Sequence, residues 1–264
     1  MSGTGADSFV HLHVHSEYSM LDGAARVADL FRGCQEMGMP AVAMTDHGNL
    51  FGAYEFYKAS KVSGVKPIIG LEAYVTPKTH RTERKRVRWG DGGSDSSSAD
   101  DVSGSGAYTH MTLLSENTEG MHNLFRMVSL ASLEGYFYKP RVDRELLATY
   151  GKGLIATTGC PGGEVQTYLR LGRFSEALAS AAEFRDIFGA ENYYVELMDH
   201  GLPIEQRVRN DLLKIARELR LPLVATNDLH YARQSDASAH EVLLCVQSGS
   251  TMADANRFKF EGDG

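Results

Sequence analysis

Cysteine is scarce in this sequence: Cys34, Cys160 and Cys245 are the only three, and they stand far apart. That scarcity excludes a dense disulfide framework, and it excludes the paired Cys-x-x-Cys spacing of a structural zinc finger. No uninterrupted apolar run reaches the roughly 20 residues needed to cross a bilayer, and the N-terminus carries no apolar secretory core. Together these absences imply a reduced, cytoplasmic, soluble protein with no membrane partner. Positive charge is also in deficit, 27 Lys and Arg against 34 Asp and Glu for a net −7. A surface that holds nucleic acid by overall charge is thereby excluded, so any polynucleotide must meet a local basic patch or bound cations.

What is present is enough apolar material, 42% of 264 residues, for one large α/β barrel or two smaller domains. Seven short β-type runs recur, at residues 9–13, 41–45, 67–75, 108–114, 153–158, 193–198 and 223–227. Helical periodicity fills the gaps at 26–37, 52–63, 121–133, 174–188 and 204–219. This alternation implies a mainly parallel sheet, and seven repeats of one unit favour a distorted seven-stranded β/α barrel over an open doubly wound sheet. Residues 90–106 break the rhythm: 15 of the 17 are Gly, Ser or Asp. Such a stretch cannot bury enough apolar surface to order itself and is expected to be a flexible insertion within a single domain. Before it, residues 78–89 carry six Lys or Arg and end at Trp89. Arg81, Arg84, Lys85, Arg86 and Arg88 could follow phosphates with Trp89 stacked on a base, or could serve as a solvated arm.

Histidine is where chemistry concentrates. In Val10-His11-Leu12-His13-Val14-His15-Ser16, strand alternation sends three imidazoles to one face, with His11 deepest. A purely packed core would leave their ring nitrogens short of partners, so His13 and His15 read as metal ligands. An apolar strand then ends in Asp46-His47-Gly48, as polar ligands do at a barrel mouth. Glu72 interrupts the apolar Ile68–Val75 run, where a lone carboxylate demands a cation or hydrogen bonds. His110 lies on the fourth run, Cys160 follows the fifth in Thr-Thr-Gly-Cys-Pro-Gly-Gly, and Asp228 and His230 follow the seventh. One such group has a bland explanation; groups on six of seven strands do not. A His, Asp, Glu and Cys mixture suits Zn²⁺, Mn²⁺ or Fe²⁺ in an open, catalytic site. His200, after the sixth run, either touches substrate or makes a polar turn before Pro203.

In this order, His13-x-His15, Asp46-His47-Gly48, Glu72 and Asp228-x-His230 resemble the motifs of the PHP (polymerase and histidinol phosphatase) family, along nearly the whole chain. Ser19-Met-Leu-Asp22-Gly23, the string from Thr45 to Gly52, and that from Lys66 to Tyr74 are similar to its polymerase III alpha branch, of the actinobacterial replicative type. The resemblance implies a distorted seven-stranded barrel with up to three divalent ions. It assigns His13, His15, Glu72 and Asp228 to one ion, Glu72, His110 and Cys160 to a second, and Asp22, His47 and His230 to a third. All nine positions carry competent side chains, with Cys160 a ligand rather than a nucleophile. The implied activity is 3′→5′ exonucleolytic proofreading on a DNA 3′ end. The alternatives are a histidinol-phosphatase type of phosphomonoesterase, or a module that braces a polymerase. Implied partners are the remainder of a polymerase III alpha subunit and replisome components such as the sliding clamp. No room exists here for palm or fingers, and the ending at 256–264 reads as a cut from a longer chain.

Overall fold

A computed structural model describes residues 9–89 and 104–257. Among these described residues there are seven strands: β1 (Ala41–Met44), β2 (Lys66–Val75), β3 (Thr109–Ser115), β4 (Arg141–Val142), β5 (Leu154–Thr157), β6 (Tyr193–Leu197) and β7 (Leu223–Ala225). Eight helices accompany them: α1 (Val27–Glu36), α2 (Ala53–Ser63), α3 (Thr118–Leu133), α4 (Arg144–Tyr150), α5 (Glu164–Arg170), α6 (Phe174–Phe188), α7 (Pro203–Leu219) and α8 (Ala237–Ser248). The sheet runs β1-β2-β3-β5-β6-β7 with β4 paired off the path to β2, and it curls into a half-barrel. The β1–β2, β2–β4, β5–β6 and β6–β7 pairings are parallel; both pairings of β3 are antiparallel.

The strand count agrees with the sequence reading but its membership does not. Residues 9–13 form no strand, and β4 takes the seventh place. The N-terminal segment still runs between β1 and the stretch after β7: Ala43 N–H donates to His11 O (2.9 Å), His15 N–H to Leu229 O (2.7 Å) and Leu229 N–H to His13 O (3.0 Å). Its ladder is broken because Val14 N–H donates to the Thr45 hydroxyl (2.8 Å) instead of to a strand carbonyl. The insertion expected at 90–106 lies, except for its last three residues, outside the described residues, as does the C-terminal end.

Helix placement follows apolar spacing. On α1, Val27, Leu30, Phe31 and Cys34 are buried, at i, i+3, i+4 and i+7. On α7, Val208, Leu212, Ile215 and Ala216 repeat the pattern behind a Pro in the first turn. Asn117 and Asp143 cap α3 and α4 by accepting from Gly120 N–H and Leu146 N–H. One core packs α3 to α7 on the sheet, and a second gathers Val14, Phe31, Met44 and Phe56 under α1 and α2. Buried polar residues, among them His13, His15, Glu72 and His230, collect together at one end of the curled sheet.

Candidate metal centre

Each candidate side chain stands at or near that end. His47 follows β1, Cys160 follows β5, and Asp228 and His230 follow β7. The reversal of β3 explains His110, which sits at the start of its strand and pairs with Tyr74 near the end of β2. Running antiparallel, β3 delivers its N-terminal residue to the mouth that its neighbours reach with their C-termini. Gly48 makes the turn after His47 possible: its φ is +61°, and a Cβ there would lie 2.8 Å from the Tyr74 ring. Asp228 holds φ +45°, a conformation that a non-glycine residue keeps only when its surroundings fix it.

All nine predicted residues come together. His13 Nε2 lies 3.5 Å from Glu72 Oε1 and 3.3 Å from Asp228 Oδ1. His15 Nε2 lies 3.2 Å from Glu72 Oε2 and 3.1 Å from Asp228 Oδ1. Glu72 Oε1 is 3.0 Å from His110 Nδ1 and 3.2 Å from Cys160 Sγ. Asp22 Oδ2 is 2.7 Å from His47 Nε2 and 3.6 Å from His230 Nε2. Ligands held at 2.0–2.3 Å from one tetrahedral ion stand about 3.3–3.8 Å apart, and octahedral neighbours stand about 3.0 Å apart. The separations of 3.0–3.6 Å match donors around a shared cation, and the 2.7 Å between Asp22 and His47 is that of a hydrogen bond. Moreover, His13 Nε2, His15 Nε2, His47 Nδ1, Glu72 Oε2 and Asp228 Oδ1 are buried without a hydrogen-bond partner. An orphaned buried polar atom costs about 1–3 kcal/mol; these five face one another at 2.7–3.3 Å, an arrangement that either protons on the imidazoles or divalent metal would satisfy. His47, His110, Asp22 and Asp228 keep 13–17% of their side chains exposed, so the cluster opens to solvent on one side.

Electrostatics agree with this donor set. Burial disfavours every charge here, but opposite neighbours outweigh it. Against its burial, His47 is pushed up to about 10 by Glu72 and Asp22. His13 and His230 are likewise raised, with Asp228 the leading charge acting on each. Glu72, Asp22 and Asp228 fall below the usual carboxylate range because imidazoles face them. Burial, followed by Glu72, pushes the Cys160 thiol up. Protons on these histidines thus occupy the electrostatic place of cations, and metal uptake must expel them.

Two carboxylates stand behind the ligands: Asp46, singled out in the sequence beside His47 but given no ion, and Glu196, which the sequence reading missed. Glu196, on β6, accepts from His13 Nδ1 (2.8 Å), Thr226 Oγ1 (2.5 Å), Thr112 Oγ1 (3.3 Å) and Thr157 Oγ1. The proton is thereby held on Nδ1 and the Nε2 lone pair of His13 is turned to the centre. Asp46 accepts from Ser16 N–H (2.7 Å), Ser16 Oγ (2.8 Å) and Ser19 Oγ (2.7 Å), and Ser19 Oγ stands 2.9 Å from His15 Nδ1. The signal for Glu196 was present: Tyr193-Tyr-Val-Glu-Leu sets one acid in an apolar strand, as at Glu72.

A family model for the PHP domain matches residues 11–200. The chain belongs to the PHP domain family. It is 60% identical to the DNA polymerase III subunit alpha of Saccharopolyspora erythraea over 262 residues, 98% of this chain and 22% of that protein. The Mycobacterium tuberculosis subunit is 57% identical over 266 residues, 100% of this chain and 22% of its own length. The Thermus aquaticus subunit is 46% identical over 257 residues, 97% and 20%. This PHP chain thus spans about a fifth of the curated relatives it matches. Among solved structures, an amidohydrolase of Chromobacterium violaceum aligns over 85% of this chain and 88% of its own, at 14% identity and TM-score 0.49, a likeness too slight to argue from.

The residues expected to touch substrate are dispersed over this PHP domain. Arg81 is engaged by Glu134 (2.7 Å), Asp143 (3.1 Å) and Glu145 (3.4 Å). Lys85 pairs with Glu83, and Arg84 and Arg88 are exposed. Trp89 is half-buried, with its ring edge-on to Tyr168 at 5.2 Å and its carbonyl accepting from Arg173. His200 has both nitrogens engaged, Nδ1 with Glu205 Oε1 (2.6 Å) and Nε2 with Asn227 O (2.8 Å), which fits the polar turn before α7. Arg86 differs from these: its guanidinium lies over the exposed Tyr138 ring at 4.8 Å. Among the described residues, no helix is long and apolar enough to cross a membrane.

Proposed function

We propose that this PHP domain is a metal-dependent 3′→5′ exodeoxyribonuclease that proofreads for the polymerase III alpha subunit of which it forms part. In this reading the 11–16 segment closes the half-barrel into a seven-membered ring. His13, His15, Glu72 and Asp228 hold one ion, Glu72, His110 and Cys160 a second, and Asp22, His47 and His230 a third, with Zn²⁺ or Mn²⁺ the ions expected of this donor mixture and Fe²⁺ a further candidate. The observation carrying it is the set of five buried, orphaned donor atoms converging at an open mouth. Bound divalent ions supply Lewis acidity toward a phosphoryl group and make water a competent nucleophile at neutral pH.

The chain's own residues then position and neutralise. Glu72 gives charge to the first two sites and stands 2.7 Å from His47 of the third, Glu196 fixes the tautomer of His13, and Asp46 steadies His15 through Ser19. In the overall reaction a water oxygen bonds to the terminal phosphorus and the bond from phosphorus to the preceding 3′ oxygen breaks. That oxygen takes a proton, and a nucleoside 5′-monophosphate leaves. The DNA 3′ end is the substrate, and the remaining subunit and replisome components such as the sliding clamp are the partners.

The test is incubation of the protein with 5′-labelled single-stranded and 3′-mismatched primers, with Mn²⁺ or Zn²⁺, beside chelator and His13→Ala controls. Shortening from the 3′ end that needs metal and vanishes in His13→Ala is expected. A metal-replete sample, verified by elemental analysis, that leaves primers intact ends this reading, and turnover of small phosphomonoesters by that same sample would replace it with a phosphatase.

A further inference from the structure

The turn before β4 carries a wall of rings and cations that leads from the basic arm to the metal centre. Phe137 N–H donates to Lys139 O at 3.1 Å, closing a tight turn with Tyr138 at its tip, 58% exposed and at φ +64°. Arg86 of the arm lies over the Tyr138 ring at 4.8 Å. Next along the chain, Lys139 Nζ stands 5.4 Å from the centre of the Tyr74 ring, which stacks on His47 at 5.7 Å and 14°. Pro140 packs beside Gly48, the neighbour of His47.

This wall is rigid. The fully buried Arg141 lies against Phe137 and donates to Gly135 O (2.9 Å), Arg81 O (2.8 Å), Glu83 O (3.0 Å) and Ala107 O (3.3 Å). It ties the turn and the arm into one surface. Among the described residues, no carboxylate lies within ion-pair distance of Lys139 or Arg86, in contrast to Arg81 and Lys85. Two cations rest on aromatic faces beside a phosphoesterase-type centre, with no acid to neutralise them.

We propose that Arg86, Tyr138 and Lys139, with the buried Tyr74 beneath Lys139, form the track by which a single DNA strand enters the centre, Lys139 binding the backbone phosphate next to the scissile one and Tyr138 stacking on a base. Base stacking on an exposed ring tolerates any sequence, as a proofreading site requires, and cations spaced between rings meet the backbone. The inference rests on the nuclease reading above for its substrate, but not for its test.

Binding of a 5′-fluorescent single-stranded oligonucleotide with a phosphorothioate 3′ end is measured by anisotropy on the Mn²⁺-loaded protein. Tyr138→Gly, which suits the left-handed turn, and Lys139→Ala are each expected to raise Kd about tenfold. Tyr138→Phe keeps the ring and keeps the binding. Lys139→Ala lowers the slope of log Kd against log salt by about one. Metal content by elemental analysis stays at the wild-type level in each. Lys152→Ala, at an exposed lysine of the loop before β5, changes Kd less than about twofold.

Kd values within twofold of wild type for both Tyr138→Gly and Lys139→Ala overturn the proposal, as does an equal loss in Lys152→Ala. Wild-type protein that shortens primers while these variants bind normally removes the track and leaves the nuclease reading. Variants that bind weakly, in a protein that shortens no primer, do the reverse.

Discussion

Among the described residues, histidines and acids come close enough to hold a metal in two places, and only one is built for it. At the PHP centre, five converging donor atoms meet only one another. His80, Asp143 and Glu145 also bring donor atoms within 4.8 Å of one another. There, however, Arg81 Nη1 lies 3.1 Å from Asp143 and 3.4 Å from Glu145, Leu146 N–H caps onto Asp143 Oδ1 at 3.0 Å, and Thr82 Oγ1 meets His80 Nδ1 at 2.7 Å. Burial would raise Asp143, yet two backbone N–H groups and Arg81 hold it below the usual carboxylate range. Proximity of donors does not distinguish the two; at the centre, among the described residues, no arginine and no backbone N–H competes for the five converging atoms, whereas both do at His80, Asp143 and Glu145.

The strongest way to break this contrast is at Glu72, which approaches His13, His15, His47, His110 and Cys160. Glu72→Gln keeps the volume, removes the charge and points an NH₂ at nitrogen lone pairs. Metal content should fall by at least one ion per chain, and metal-dependent hydrolysis by about 10³-fold or more. Elemental analysis and the primer assay check both, and full metal with full activity would refute the shared-carboxylate geometry. Glu196→Gln is milder, because the amide oxygen can still accept from His13 while the Thr112 and Thr157 side lose their anion. Metal affinity should weaken about 10-fold, the lower end for an outer orienting group. A competition titration with a chelating dye reads it, and an unchanged affinity would make Glu196 a packing residue only.

That pair of carboxylates shows where sequence reasoning reached and where it stopped. α6 was legible to the residue, and α1, α2 and α7 to within one residue at either end, since each carries long helical periodicity. The seven-residue α4 and α5 and the two-residue β4 were not, because elements so short are held by tertiary contacts. Glu164, buried on α5, is paired with Arg144 across α4 (2.6 Å), a contact no local pattern announces. Of the nine candidate ligands, His47, Cys160, Asp228 and His230 could be read because they follow apolar strands, whereas Asp22, in the loop before α1, was reached only through the family resemblance. The direction of β3 could not, as alternation is the same in both senses. Glu72 was noticed among apolar neighbours while Glu196 was not, although both are single acids in buried strands, because only Glu72 stood within a recognised motif.

A weaker and broader consequence is pH dependence. His47 is pushed up to about 10 by Glu72 and Asp22 against its burial, from about 6.5 in an unfolded chain. Its contribution to the metal-free fold is complete below about pH 6.5 and is lost as pH rises through about 10. Glu72 and Asp228 are shifted down, so their contributions are complete above about pH 4 and are lost in acid. Metal-free protein should therefore melt highest between about pH 4 and 6.5 and fall toward pH 10. Divalent metal replaces those protons, so its affinity should rise with pH and carry the melting maximum upward. Thermal melts in chelator and in Mn²⁺ across pH 4–10 test this; a chelated protein that gains stability between pH 7 and 9 would contradict the charge pattern of the centre.

The smallest expected effect sharpens the contrast from its other side. His80 is largely exposed, and its acidic neighbours are already neutralised by Arg81 and by backbone N–H groups. Removing it in His80→Ala deletes no buried partner, so stability should change by no more than about 0.5 kcal/mol, a shift of about 1–2 °C in a protein of this size. Metal content should match wild type at every loading concentration that fills the PHP centre. One missing ion in that variant would mean that closeness of donors suffices for binding even with an arginine among them. Unsatisfied burial would then no longer separate the two groups.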